Sequence, residues 1–229
     1  MSTISKRYIK NKELIEESGK YMVDEAISLL KKTGNAKFKE SIDVAINLGI
    51  DPKQTEQNVR GSVVLPNGTG KNMRVIVFAE SEDAETARTA GADEVGAEDL
   101  AEKIKAGFSD FDIVIATPSA MKIVGQLGQI LGPKGLMPNP KDGTVTKNIK
   151  EAVTNAKKGQ AMFRNDKGGV LHCSIGSVEF TEESIKENLL SLITQVNKSK
   201  PSTAKGIFIK KITLSSTMGP GIHVEESSI

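Results

Sequence analysis

Tryptophan is absent from this chain, aromatic residues make up 4% of it, and it holds one cysteine and two histidines. Each shortage argues against a class of function. Without tryptophan and with few aromatic rings, the sequence argues against an extended stacking platform on which successive bases lie. One cysteine forbids an internal disulfide and gives no sign of secretion. Two histidines and one cysteine do not build a convincing zinc site. His172 and Cys173 are neighbours on an expected strand, so they point to opposite faces and cannot serve as a nucleophile and its base. No apolar run approaches the ~20 residues needed to cross a bilayer. The opening MSTISKRYIKNKELIEESG lacks the apolar centre of a signal peptide, and the cytosol is the expected compartment.

Nucleotide chemistry is also missing its signatures. The apolar stretch RVIVFAE runs into AESEDAETA, with no G-x-G-x-x-G for a dinucleotide. LPNGTGKN has Leu65 where a phosphate loop needs its first glycine and Asn72 where it needs a hydroxyl, and it reads as a linker. The acids between Glu80 and Glu102 are spaced like helix surface charges rather than a carboxylate pair. No catalytic constellation, metal site or cofactor site is expected, and the chain is read as a non-enzyme.

What is present suits one large or two ordinary globular domains: 229 residues, 38% hydrophobic and 26% charged. The net charge of +2 is unevenly spread. Glu80 to Asp112 carries 11 acids against 3 bases, whereas Ile113 to Gly159 carries 7 bases against 2 acids. Such polarity can orient a protein on an anionic partner even when the total is near zero, although for any single run the ordinary solvated face is the favoured reading.

Three segments follow one another. Residues 5–18 read as a helix with Tyr8, Ile9, Leu14 and Ile15 as its apolar positions, and EAISLLKK as a second helix with Asp24 as its cap and Gly34 as its end. SIDVAINLGI alternates strictly, as a half-buried strand does, and VRGSVVLP is its expected partner. From Met73 the texture changes. RVIVFAE and DIVIATP are continuous apolar strands, and helices alternate with them, the pattern of parallel βαβ units. LGPKGLMPNPKDGTVT follows as a proline-rich loop expected to be structural there, with NIKEAVTNAKKG as a closing helix. The third segment returns to the first style. QAMFRNDKGGVLHCSIGSVEF predicts a hairpin and TEESIKENLLSLITQVNK an amphipathic helix capped by Thr181. KGIFIKKITLSS predicts a last strand with a bulge at Lys210 and Lys211.

Neither flank is complete by itself. The expected fold is therefore α/β and α+β in two domains. A discontinuous α+β sandwich would form from both chain ends, 1–66 and 160–229, with an inserted Rossmann-like βαβ domain at 67–159. The two crossings, both near glycines, would act as a hinge.

Three loops are too particular to be spacers: NAKFKES, with Phe38 between Lys37 and Lys39; FRNDKGG with its return VLHCSIG; and TLSSTMGPGIHV, with a row of hydroxyls, a methionine and a stiff Gly-Pro-Gly turn. If the flanks share one sheet, the loops would gather at one edge or end of it. Hydroxyls and amides suit 2′-OH groups and phosphates, and Phe38 or Met218 suits a splayed base, so the mixture fits folded RNA. Phe38 suits a core position equally well, and His172 a partly buried strand. Few basic residues stand near these loops, so affinity should depend only modestly on salt.

In order along the chain stand KRY, AKF, LGIDP, QNVRG, AGAD.VG, DFD.V.ATP, LGPKGLMPNPK.GTVT, FRNDK and TMGP. In these the chain resembles the L-one family of large-subunit ribosomal proteins over almost its whole length. The resemblance implies a two-domain protein that binds large-subunit rRNA and forms the mobile stalk beside the exit site. It implies help in releasing exit-site tRNA, and repression through binding of its own operon's mRNA. The implied location is the cytoplasm, on the large ribosomal subunit. Neither a membrane nor DNA is expected as partner, and the protein should be monomeric off the ribosome. Carried over by position, the RNA-binding residues are Lys37, Phe38 and Ser41; Asn165, Asp166, Lys167 and His172; and Ser216, Thr217, Met218 and Gly219. Glu25 occupies a position that is acidic in the family.

Overall fold

The computed structural model describes residues 5–15, 19–80 and 82–226. In chain order its elements are helices α1 (Lys6–Glu13) and α2 (Val23–Thr33), and strands β1 (Ser41–Leu48), β2 (Arg60–Val64) and β3 (Val75–Phe78). Helix α3 (Glu82–Thr89), strand β4 (Glu94–Gly96), helix α4 (Glu98–Lys105) and strand β5 (Ile113–Ala116) follow. Next come helices α5 (Met121–Gln126), α6 (Gly128–Leu131) and α7 (Ile149–Gly159) and strands β6 (Gln160–Asn165) and β7 (Val170–Ser177). Helix α8 (Glu182–Lys198) and strands β8 (Ile209–Ser216) and β9 (Ile222–Val224) complete the order.

The chain divides into two compact units. One comprises the stretches up to Gly70 and from Ala161 onward, the other Lys71–Gln160. Asn67, expected at the start of the insert, belongs to the first unit, because helix α8 holds it. Its amide donates to Asn188 Oδ1 at 3.1 Å and its side chain to Glu187 at 2.8 Å.

The first unit is a six-stranded sheet in the order β2-β6-β7-β1-β8-β9. Strand β1 runs antiparallel to both β7 and β8. Its alternation sends Ile42, Val44, Ile46 and Leu48 into the core, where they meet Leu171 and Cys173 of β7 and Ile212 and Leu214 of β8. Helices α2 and α8 supply the other half of that core. In α2, Val23, Ala26, Ile27 and Leu30 fall one helical turn apart. In α8, Ile185, Leu189, Leu192, Ile193 and Val196 form one stripe, and all of them are buried. Each fully buried aliphatic side chain contributes roughly 1.5–3 kcal/mol. The Thr181 hydroxyl accepts from the Ser184 amide at 3.2 Å and caps α8.

Five expectations about the elements need correction. VRGSVVLP does not pair with β1; it becomes the edge strand β2, because β6 and β7 take the positions between. Asp24 is not the cap of α2. Met22 is, and Asp24 lies in the first turn, where it pairs with Lys186 of α8 at 2.7 Å. Helix α1 ends at Glu13, while residues 16–18 of the expected helix lie outside the described residues. Tyr8, Ile9 and Leu14 are exposed rather than packed, since the buried residue of α1 is Asn11, which donates to the Thr33 carbonyl at 2.9 Å. Finally, β8 is not the last strand, because the chain turns through Gly219–Gly221 into β9. The expected bulge at Lys210 and Lys211 is present: Asn47 pairs with Lys211 but Leu48 with Ile209.

The second unit is a three-stranded parallel sheet, β4-β3-β5. Strands β3 and β5 are buried on both faces, as continuous apolar runs require. Ile76, Phe78, Val114 and Ala116 face a cluster with Leu100, Ile104, Val124, Leu127 and Leu131. Val75, Val77, Ile113 and Ile115 face one with Ala87, Ile149, Val153 and Ala156. The proline-rich loop is built into this unit: Val145 bridges in parallel to Ala116, and the Thr144 hydroxyl accepts from the Asn139 amide at 2.8 Å. Asp142 in that loop is buried.

Asn188 is wholly buried and joins three segments. Its Oδ1 accepts from Asn67, and its Nδ2 donates to the carbonyls of Gly68 at 3.0 Å and Ile175 at 2.8 Å. Replacing it with leucine fills the space but strands these groups, and unsatisfied buried groups cost about 1–3 kcal/mol each. Asn188→Leu should lower unfolding free energy by roughly 2–4 kcal/mol in urea titration.

Candidate nucleic-acid interface

Antiparallel pairing decides which loops can meet. Ser41 opens β1 opposite Ser177 at the end of β7, and its neighbour Ile42 pairs with Ser216 at the end of β8. The segment Asn35–Glu40 and the turn Ser216–Gly219 are thereby side by side. Thr217 donates its amide to the Ser41 carbonyl at 3.1 Å, while its hydroxyl accepts from the Ser41 amide at 3.0 Å and lies 3.0 Å from the Ser41 hydroxyl. Phe38 and Met218 stand out from this junction, 54% and 51% exposed. Lys37 and Lys39 are exposed too, Lys39 paired with Glu179 at 3.0 Å. A shallow hollow of about 300 Å³ lies beside them, lined by Ala36, Phe38, Glu40 and Val178 among others.

Beneath the junction is Glu40, a carboxylate that sequence reasoning passed over. It is 3% exposed. Its two oxygens accept from the amides of Ala36 at 2.8 Å and Met218 at 3.0 Å, so it fastens both loops to one group. Arg7 of α1 donates to the Met218 carbonyl at 3.4 Å, from the other side of the same residue. Burial pushes the Glu40 carboxyl up. The Ser216 hydroxyl, the Ala36 and Met218 amides and the Arg7 charge outweigh it and hold the group below its ordinary value of 4.5. The Ser216 hydroxyl is itself buried and meets no acceptor at full hydrogen-bond geometry. The only hint in the sequence was the acid's place between the AKF motif and the strand.

The hairpin turn does not join this cluster, and the expectation that all the loops gather at one end is corrected. Asn47 pairs with Val170, so the turn that precedes Val170 lies at the far end of β1, roughly 20 Å from Ser41 at ~3.3 Å per residue. Within it, Asp166 accepts from the amides of Gly168 and Val170, each at 2.8 Å, and approaches His172 Nε2 at 3.6 Å. The Val170 amide, with that of Gly168 and His172, holds its carboxyl low against partial desolvation. Asp166 and Lys167 are exposed, but Asn165 is buried. The Asn165 Oδ1 accepts from the Val59 amide at 2.8 Å and its Nδ2 donates to the Asp166 carbonyl, so it shapes the turn from below. Ser216 is likewise buried, with Gly219 folded over it: a Cβ at Gly219 would come within 2.4 Å of the Ser216 hydroxyl. Glu25 is exposed in the first turn of α2.

What connects the two ends is the face of the sheet turned away from α2 and α8. Its rows run across the strands as Ser174, Asp43 and Ser215, then as Arg164, His172, Ala45, Thr213 and His223. All of these are exposed or half-buried. Thr213 Oγ1 lies 3.1 Å from His223 Nδ1. Burial, helped by Lys211, holds the His223 imidazole low. Cys173, one residue from His172, faces the core, where burial and then Asp43 push its thiol up to about 12. Among the described residues no group of three or more histidine, cysteine or acidic side chains is placed to hold a metal, and no helix is long and apolar enough to cross a membrane.

This is an α+β unit with a polar open sheet face and one cross-braced loop cluster, carrying an inserted parallel α/β unit. Comparison with known proteins places the combination. Residues 30–220 match the model of the ribosomal protein L1p/L10e family. The chain is 57% identical to the large ribosomal subunit protein uL1 of Haemophilus ducreyi over 229 residues, all of both chains. It is 55% identical to that of Actinobacillus succinogenes, again over the whole of both, and 57% identical to that of Tolumonas auensis over all of this chain and 98% of the relative. The chain belongs to the ribosomal protein L1p/L10e family. These relatives are named for the ribosomal subunit that holds them and not for a reaction.

The depressed acidity of Glu40 sets a direction for pH dependence. The folded state favours its carboxylate, so the stability it adds is complete above its ordinary value of 4.5 and is lost as pH falls through the lower folded value. Glu40→Gln should lower unfolding free energy by roughly 1–3 kcal/mol at neutral pH, the scale of a lost buried hydrogen bond to a charged group. It should also flatten the wild-type decline below pH 4.5 in chemical denaturation across pH.

Proposed function

We propose that this protein is a large-subunit ribosomal component that binds large-subunit rRNA directly through its first unit. The observation that carries the reading is the pair of exposed apolar groups, Phe38 and Met218, on a junction locked by Ser41, Thr217 and Glu40. Single exposed apolar side chains are ordinary, but two that flank one braced junction offer an apolar patch a partner can cover. Hydroxyls, backbone amides and cations surround them, which suits the sugars, phosphates and splayed bases of folded RNA better than a protein surface.

In this reading Phe38 and Met218 support bases, and Lys37 meets phosphate. Ser41, Thr217 and the Gly219 backbone approach the sugar edge. The same RNA runs along the open face to His172, Asp166 and Lys167. Asn165 and Ser216 act from beneath, by shaping the turns. The assignments of Lys37, Phe38, Ser41, Asp166, Lys167, His172, Thr217, Met218 and Gly219 as contacts rest on this chemistry and on the family resemblance.

The finer roles come from the resemblance. The protein forms a movable stalk near the exit site, where it assists tRNA release. It also represses its own operon by binding an mRNA segment shaped like the rRNA site. If one surface takes both RNAs, they must compete for it. Labelled rRNA fragment should be displaced completely by unlabelled leader mRNA, and simultaneous binding of both would refute a shared site.

Met218→Asp places a charge against the RNA on an exposed turn. It should weaken binding to a large-subunit rRNA transcript at least ten-fold in filter binding while shifting the melting temperature by no more than about 2 °C, as an exposed substitution does. Equal losses of fold and binding would make Met218 a packing residue. Few cations line the junction, so the slope of log affinity against log salt should be shallow, on the order of −2 to −4. A crosslinking map on total cellular RNA tests the whole reading, and crosslinks absent from large-subunit rRNA would end it.

A further inference from the structure

We infer that Glu40 is a positioning residue for RNA, one that never touches the ligand but sets the Met218 peptide and the Phe38 loop in their binding-ready arrangement. The inference rests on the rRNA-binding reading above and adds to it the group that builds the site.

The geometry is specific. Met218 stands on an exposed turn between the hydroxyl row Ser215–Thr217 and the Gly219-Pro220-Gly221 turn, with its side chain 51% exposed. Its peptide unit is nevertheless gripped from two distant parts of the chain: its amide donates to Glu40 and its carbonyl accepts from Arg7. The other Glu40 oxygen accepts from Ala36, two residues before Phe38. One buried carboxylate thus sets the spacing between the two apolar contacts, across 178 residues of sequence. A carboxylate suits this task because both of its oxygens are acceptors and both partners are amide donors. A glutamine offers one acceptor and one donor, so one amide would face an N–H group. An aspartate keeps the charge but is one methylene shorter and cannot reach both.

A negative charge beneath an RNA surface is costly to polyanion binding, and this makes the inference testable by sign. If Glu40 acts on RNA only through its charge, Glu40→Gln removes a repulsion and tightens binding, and Glu40→Asp leaves it unchanged. If Glu40 positions the loops, both substitutions weaken binding, because ordering of the contacts must then come from binding itself.

The experiment measures affinity of the full chain for an in vitro transcript of bacterial large-subunit rRNA, well below the melting temperature of every variant, with folding checked by circular dichroism. Glu40→Gln and Glu40→Asp are each expected to lose ten-fold or more. In a Met218→Ala background, the same Glu40 substitution should lose less than three-fold, since the group it positions is gone. A general weakening of the fold would carry over undiminished into that background. Wild-type affinity in Glu40→Asp, tighter binding by Glu40→Gln, or a full ten-fold loss in the Met218→Ala background would each overturn the inference. Loss of native structure in both Glu40 variants would do so too, making Glu40 a folding residue. Failure of the wild-type chain to bind the transcript would instead overturn the rRNA reading on which the inference stands.

Discussion

One buried carboxylate, accepting two backbone amides from loops far apart in the chain, organises the surface of this protein. Glu40 joins Ala36 to Met218, and the Ser41–Thr217 bonds close the same seam one residue further along. Buried charge is tolerated only when hydrogen bonds replace lost water. Here those bonds come from the segments that must be held in register. The cost of burying the acid and the rigidity of the loops are therefore linked. An apolar residue at this place would fill the space without specifying where the Met218 turn sits.

The sheet beneath extends that seam into a surface. Strand β1 lies between two antiparallel neighbours, so its buried residues anchor α2 and α8 while the residues of opposite parity are left for solvent. The same pairing separates the two loop regions. The Thr217 junction sits where β1 begins, and the Asp166 turn where it ends. What the loops share is a face, with hydroxyl and imidazole rows between them. An extended, hydroxyl-rich face with a rigid, partly apolar anchor at one end suits a folded RNA better than a single pocket would.

The inserted unit follows a different rule. Its strands β3 and β5 are buried on both sides, and each face has its own cluster of helices. The proline-rich loop around Asn139 and Thr144, expected to be structural, is tied back onto β5. Asn188 anchors the first unit's end of the crossing, so the chain leaves the sheet from a fixed point.

Local pattern determined the elements. Alternation in SIDVAINLGI, continuous apolar runs in the insert, the Thr181 cap and the slip at Lys210 each depend on residues close in sequence, and each was legible there. So was the exposed Met218, because a methionine beside Gly219 and Pro220 has no local core to join, whereas Phe38 suited a core position equally well until the structure left it exposed. Pairing partners were not legible. Strand β2 alternates well enough to sit beside β1, and only the arrival of β6 and β7 displaced it to the edge. Glu40 reads as one more surface acid until β8 brings the Met218 amide to it. Asn165 reads as a turn residue until Val59 comes to rest on it. Sequence by itself settled what each segment could become, since backbone and side-chain preferences are local. Only the tertiary structure decided which distant amides a buried acid would satisfy, because long-range hydrogen-bond partners are chosen by the packing of the whole sheet.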